Sequence, residues 1–143
     1  MNLKLGSDVS KKILIADDNA LVRKLLRIML EGQKGWQVCA EATNGSEAIL
    51  KAQESKPDAV ILDFAMPLLD GLDAAREITR ALPSVPILLF TLYDSPEMTL
   101  AAKEAGVSRV LPKTASGLPL IQAVRDLLTT GSEGAHPTGY SPA

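Results

Sequence analysis

The chain has 143 residues, 46% of them hydrophobic and 22% charged, with a formal net charge of −2. This is the size and balance of one globular domain that buries its own core, and its charge offers no general attraction to nucleic acid or an anionic membrane. A single cysteine, Cys39, excludes an internal disulfide; a single histidine, His136, excludes histidine-based triads and His-rich metal sites; and no run approaches the ~18 apolar residues of a membrane span.

In chain order, Ile13–Ala16 is a short apolar run ending in the acids Asp17 and Asp18. Leu21, Val22, Leu25, Ile28 and Met29 then recur at helical spacing, with Asn19 as cap and Gly32 or Gly35 as stop. Trp36–Ala40 reads as a strand. Asn44, three residues before Glu47, opens a helix in the manner of a capping box, and Pro57 stops it near Ser55. Ala59–Leu62 is the clearest buried strand, and Asp63 follows it. Asp70 caps a helix carrying Leu72, Ala75, Ile78 and Leu82, which Pro83 ends. Ile87–Phe90 is a strand, and Ser95-Pro96 is a cap with proline at the first helical position of a helix reaching Gly106. Val110-Leu111 is a short last strand. Ser116 caps a last helix carrying Leu120, Ile121, Val124, Leu127 and Leu128, with Gly131 as its stop.

Five strand-then-helix repeats with continuous apolar strands imply a parallel sheet covered on both faces, that is, an α/β doubly wound (βα)5 three-layer sandwich. The domain is expected over residues 11–131, with residues 1–10 and 132–143 as flexible tails. The N-terminal apolar run is too short for a signal peptide, so a cytoplasmic location is expected.

Ligands of open α/β sheets bind beyond the carboxyl ends of the strands. At that edge the first strand delivers Asp17 and Asp18, the third Asp63, the fourth Thr91, and the fifth Lys113. Each alone is an ordinary turn or cap residue; their arrival on one rim is what carries weight. Three close carboxylates repel one another, and a hard divalent cation, Mg²⁺, would relieve that. Asp18 and Asp63 would ligate directly, Asp17 directly or through water, and the Ala65 backbone carbonyl would complete the set. A carboxylate can attack phosphorus, with Lys113 neutralising and Thr91 hydrogen bonding the transferred group.

Asp17-Asp18, Asp63 within Asp-Phe-Ala-Met-Pro-Leu-Leu-Asp-Gly, Thr91 after Ile-Leu-Leu-Phe, and Lys113 after Val-Leu-Pro together resemble the receiver family of two-component response regulators, over about residues 11–131. The stretch Gly106–Thr114 is most similar to receivers that precede a helix-turn-helix DNA-binding domain, as in NarL/FixJ-type regulators. The resemblance implies a flavodoxin-like strand order 2-1-3-4-5. It implies a phosphohistidine donor, either a sensor histidine kinase or a histidine phosphotransfer protein. Val110 stands where many members carry an aromatic, so coupling by a swinging aromatic lacks its side chain. Ala65 and Tyr93, each two residues beyond a site residue, flank the phosphoryl position; a small Ala65 cannot orient water and Tyr93 can cover the site, so slow self-hydrolysis is expected.

The output surface is expected on the fourth helix, fifth strand and fifth helix, with Met98, Lys103, Arg109, Leu118 and Gln122 as candidates, and with a phosphorylation-dependent homodimer as a further expectation. The chain alone is expected to bind no DNA. The main alternative is an Asp-nucleophile, Mg²⁺-dependent phosphohydrolase on a related sheet, but such enzymes carry a second acid where this chain has Ala65. A receiver-like module that takes no phosphoryl group is disfavoured by the complete acid–Thr–Lys set. A nucleotide-binding domain is disfavoured by the lack of G-x-G-x-x-G and Walker A loops.

Overall fold

The computed structural model describes residues 10–130. Residues 1–9 and 131–143, which hold the helix stop read at Gly131, His136 and nearly all of both expected tails, lie outside the described residues. Five strands are present: β1 (Lys11–Ala16), β2 (Trp36–Ala42), β3 (Ala59–Leu62), β4 (Ile87–Thr91) and β5 (Arg109–Pro112). They alternate with α1 (Ala20–Glu31), α2 (Gly45–Ser55), α3 (Gly71–Ala81), α4 (Pro96–Glu104) and α5 (Leu118–Thr130). Every pairing is parallel and the order is β2-β1-β3-β4-β5, the flavodoxin-like arrangement.

The strands read as unbroken apolar runs because both faces of the sheet are covered. Leu14, Ala16, Val60, Leu62, Ile87 and Leu89 point to one face, where they meet Ala48 and Ala52 of α2, Ala75 and Ile78 of α3, and Ala102 of α4. Ile13, Ile15, Ala59, Ile61, Leu88 and Phe90 point to the other, against Leu26 and Leu30 of α1 and Leu120, Val124 and Leu127 of α5. The side-chain period of two thus feeds two separate cores.

Side-chain caps set the starts of four helices. Asn19 Oδ1 accepts from Val22 N–H at 3.0 Å, Asn44 Oδ1 from Glu47 N–H at 2.8 Å, Asp70 Oδ1 from Asp73 N–H at 2.9 Å, and Ser95 Oγ from Met98 N–H at 3.0 Å. At α2 the return bond goes one residue further back than in a standard capping box: Glu47 Oε1 accepts from the Thr43 amide at 2.6 Å and its hydroxyl at 3.0 Å. Because α4 is only nine residues long, its cap matters. Ser95→Ala is expected to cost about 1 kcal/mol, read as a lower urea midpoint at unchanged slope.

Element ends shift by one or two residues in several places, β1 starting at Lys11, α4 ending at Glu104 and β5 spanning Arg109–Pro112, and three further local readings differ from expectation. β2 runs two residues further, to Ala42, and carries an extra residue at Cys39, where the register against β1 passes from Val38 to Ala40. On α1, Leu21, Leu25 and Ile28 are at least half exposed, while Leu26 and Leu30 are buried. The helix has two apolar stripes and only one can face the sheet. Arg23 and Arg27, both bonded to Glu41 of β2 at 3.0 and 2.8 Å, are consistent with the observed roll. Finally, α5 begins after Gly117, whose φ of +85° suits glycine and whose carbonyl accepts from Ile121 N–H at 3.0 Å, one residue beyond the Ser116 cap read from the sequence.

Candidate functional site

Register brings the acids together. Ala16 pairs with Leu62, and Asp63 N–H donates to Ala16 O at 3.0 Å, so Asp17 and Asp63 leave adjacent strands side by side. On the far side of β3, Thr91 pairs with Pro112, so Lys113 emerges immediately beyond the end of β4. Carboxylate oxygens of Asp17, Asp18 and Asp63 lie within 4.8 Å of one another. Asp17 and Asp63 are buried, whereas Asp18 is exposed and keeps the cluster open to solvent.

Asp17 is held at every polar atom. Its N–H donates to Ala42 O at 3.0 Å, and its carbonyl accepts from Arg23 Nη1 at 2.8 Å. Its Oδ1 accepts from Asn19 N–H at 2.9 Å, and its Oδ2 from Lys113 Nζ at 2.7 Å. Lys113 also stands 3.4 Å from Asp63 Oδ2, so one ammonium bridges two buried carboxylates. The sequence reading missed Arg23 and assigned Asn19 only to the helix cap. Neither role has a sequence signal, because both depend on how α1 returns over the strand end.

Burial pushes the Asp63 carboxyl above its usual range, and the neighbouring Asp17 charge pushes it further, against the opposing pull of Lys113 and of a hydrogen bond from the Ala65 backbone. Burial would lower Lys113, but its hydrogen bond to Asp17 and the two negative charges outweigh this and raise it. An all-oxygen cluster this tight, open at Asp18 and short of positive charge, suits a small hard divalent cation.

Thr91 is fully buried, and its Oγ accepts from Tyr93 N–H at 3.1 Å, leaving the hydroxyl proton to be donated elsewhere. Tyr93 is itself half exposed and meets Phe64 edge-on with ring centroids 5.9 Å apart, joining the loops after β3 and β4. Ala65 is exposed beside Asp63. Val110 is half-buried against the core shared with α2, α3 and α4.

With this geometry in view, comparison with known proteins is decisive: the family described as "Response regulator receiver domain" matches residues 13–125. The chain belongs to the response regulator receiver family. It is 37% identical over 120 residues to the transcriptional regulatory protein LnrK of Bacillus subtilis, covering 84% of this chain and 54% of LnrK. It is 36% identical over 139 residues to a protein-glutamate methylesterase/protein-glutamine glutaminase of Alkalilimnicola ehrlichii, covering 92% of this chain and 35% of that protein. The chain therefore spans from about a third to about half of these relatives. Among solved structures, a LuxR-family two-component response regulator from Aurantimonas sp. SI85-9A1 superposes with a TM-score of 0.78 at 34% identity, covering 84% of this chain and 86% of that one. The match to the kind of receiver found in LuxR- and NarL-type regulators agrees with the resemblance in Gly106–Thr114.

On the receiver's α4–β5–α5 side, Lys103 and Gln122 are exposed and Leu118 is 82% exposed, whereas Met98 packs partly into the core. Arg109 Nη1 lies 3.5 Å from Asp126 Oδ2, tying β5 to α5, and within α5 Gln122 Nε2 donates to Asp126 Oδ1 at 3.0 Å. No helix among the described residues is long and apolar enough to cross a membrane.

Proposed function

We propose that this receiver, taken as residues 11–131, accepts a phosphoryl group on Asp63 from a phosphohistidine of a sensor histidine kinase or histidine phosphotransfer protein. The observation that carries the reading is the Lys113 ammonium between Asp17 and Asp63, in a cluster of three carboxylates with a buried Thr91 on the neighbouring strand. An Asp63 carboxylate oxygen forms the new bond to phosphorus while the nitrogen–phosphorus bond to the donor's imidazole breaks, and the imidazole keeps the electron pair and takes up a proton. Asp18 and Asp63, Asp17 directly or through water, and the Ala65 carbonyl would hold Mg²⁺, which when bound would supply positive charge against the oxygens of the transferring group.

Lys113 starts paired with Asp17 and Asp63 and turns toward those oxygens as negative charge arrives on them. The Thr91 hydroxyl proton, which Tyr93 leaves unused, is donated to the same group. Movement of these two residues shifts the loops leading into α4 and β5, and the outer face of α4, β5 and α5 is the output surface. With Val110 in β5, that shift proceeds without an aromatic swing. A homodimer through this face on phosphorylation, a cytoplasmic location and the absence of DNA binding by residues 11–131 complete the reading. A phosphohydrolase finds no second acid at Ala65.

The test is incubation with acetyl phosphate and Mg²⁺, followed by intact-mass measurement. One added phosphoryl group, absent when EDTA replaces Mg²⁺, is expected; equal labelling in EDTA contradicts the reading. Since Tyr93, edge-on to Phe64, can cover the site and Ala65 offers no group to orient water, the acyl phosphate is expected to outlast minutes after donor removal. Decay within seconds would contradict that.

A further inference from the structure

The loop joining β3 to α3 carries Asp63 and the Ala65 amide that bonds it, and three further contacts, besides those of Asp63 and the Phe64–Tyr93 ring pair, hold its course. At its end, Gly71 N–H donates to Phe64 O at 2.8 Å, and a Cβ on Gly71 would overlap the Asp63 carbonyl oxygen and stand 2.9 Å from Phe64 Cα. In its middle, Met66 is buried in the core beneath α2 and α3. The third contact comes from outside the loop. Gly45, the first residue of α2, is buried, and a Cβ there would overlap the Leu69 carbonyl oxygen and stand 2.7 Å from Leu69 C and Cβ.

The loop has little slack to absorb a push at Leu69. Between Pro67 and Leu69 the chain reverses through Leu68 at φ +70°, with Leu69 N–H on Pro67 O at 2.7 Å, a three-residue turn that ordinary residues adopt only under strain. The first turn of α2 is equally fixed, by the Asn44 cap and the return of Glu47 to Thr43.

We propose that Gly45 is a positioning residue for phosphoryl acceptance: the space left by its missing side chain lets the α2 backbone seat Leu69, and that seat sets where the Ala65 amide meets the Asp63 carboxylate. The proposal rests on the reading of Asp63 as acceptor. The atoms that crowd this position are mostly backbone, so a methyl group at Gly45 is accommodated only by moving the loop or tilting α2.

The experiment measures Mg²⁺ affinity and the acetyl phosphate labelling rate, at saturating Mg²⁺ and donor, in the full chain. Gly45→Ala is expected to weaken Mg²⁺ binding and slow labelling by about tenfold to a hundredfold, the scale of a misplacement near 1 Å. Ala52→Gly, also buried in α2 but away from Leu69, is expected to lower the thermal midpoint and leave both quantities unchanged. Wild-type values in Gly45→Ala, or an equal loss in Ala52→Gly, overturn the proposal. Should Gly45→Ala not fold, hydrogen exchange of the wild type decides. Beryllium fluoride with Mg²⁺ should slow exchange in residues 66–70 and 44–48 together, and slowing confined to the former overturns the coupling. Failure of the acceptor reading shows separately, as wild-type protein that takes no label or an Asp63→Asn variant that labels fully.

Discussion

Asp63→Asn is expected to reduce phosphoryl incorporation to background and, in protein freed of divalent metal by EDTA, to raise the urea midpoint at neutral pH. The first effect follows from removing the oxygen proposed as the nucleophile. The second follows from what the carboxylate endures when unloaded: burial and the adjacent Asp17 both disfavour its charge. Its folded-state pKa lies above the unfolded value, so the folded protein binds more protons between the two, and stability falls as pH rises through that interval. The asparagine variant lacks this fall. Urea titrations of both proteins in EDTA, at a pH below and above the interval, should diverge only at the higher pH. A variant less stable than wild type at neutral pH would show that Lys113 more than compensates the Asp63 charge. Labelling that persists would mean another residue accepts the phosphoryl group.

Lys113→Met is expected to act in the opposite direction on stability and to lower the labelling rate by about 10²–10³. The ammonium is bound to Asp17 at 2.7 Å and lies 3.4 Å from Asp63, both buried. Methionine keeps most of the stem but leaves two neighbouring carboxylates without their cation, at a cost of about 2 kcal/mol in EDTA. Because the folded-state pKa of Lys113 is raised, its contribution is fully present below the unfolded-state pKa and lost as pH rises through the folded one. At neutral pH the whole contribution is therefore at stake. Mg²⁺ should recover much of the lost stability, since it supplies positive charge to the same oxygens, while the labelling rate stays low. Recovery of the rate with Mg²⁺ alone would show that Lys113 holds the resting site together and takes no part in transfer.

The α1 stripes and the Asp17 contacts mark how far a linear reading reaches. Strand identity was legible because a strand covered on both faces must be apolar throughout, as Ala59–Leu62 is. The caps at Asn19, Asn44, Asp70 and Ser95 were legible because a short polar side chain ahead of an apolar-periodic run has one local use. The roll of α1 was not: Leu21, Leu25 and Ile28 have the same spacing as a buried face, and the choice between faces is made by packing against the sheet, with which the bonds of Arg23 and Arg27 to Glu41 of β2 agree. Gly45 gave no local signal either, since the space it leaves is filled by Leu69, which is distant in sequence.

From its residues alone the chain declared five βα units and which polar groups stand at strand ends, since local propensity and side-chain period act over a few positions. Packing decided the rest: that Asp17 is gripped at four atoms, that one ammonium spans two carboxylates, and that α2 leans on the loop beside Asp63. Those facts arise only when strand register and helix docking bring remote segments within van der Waals or hydrogen-bond range. If Lys113 labels no worse as methionine, or a methyl at Gly45 goes unnoticed, that packed arrangement is not what performs the chemistry.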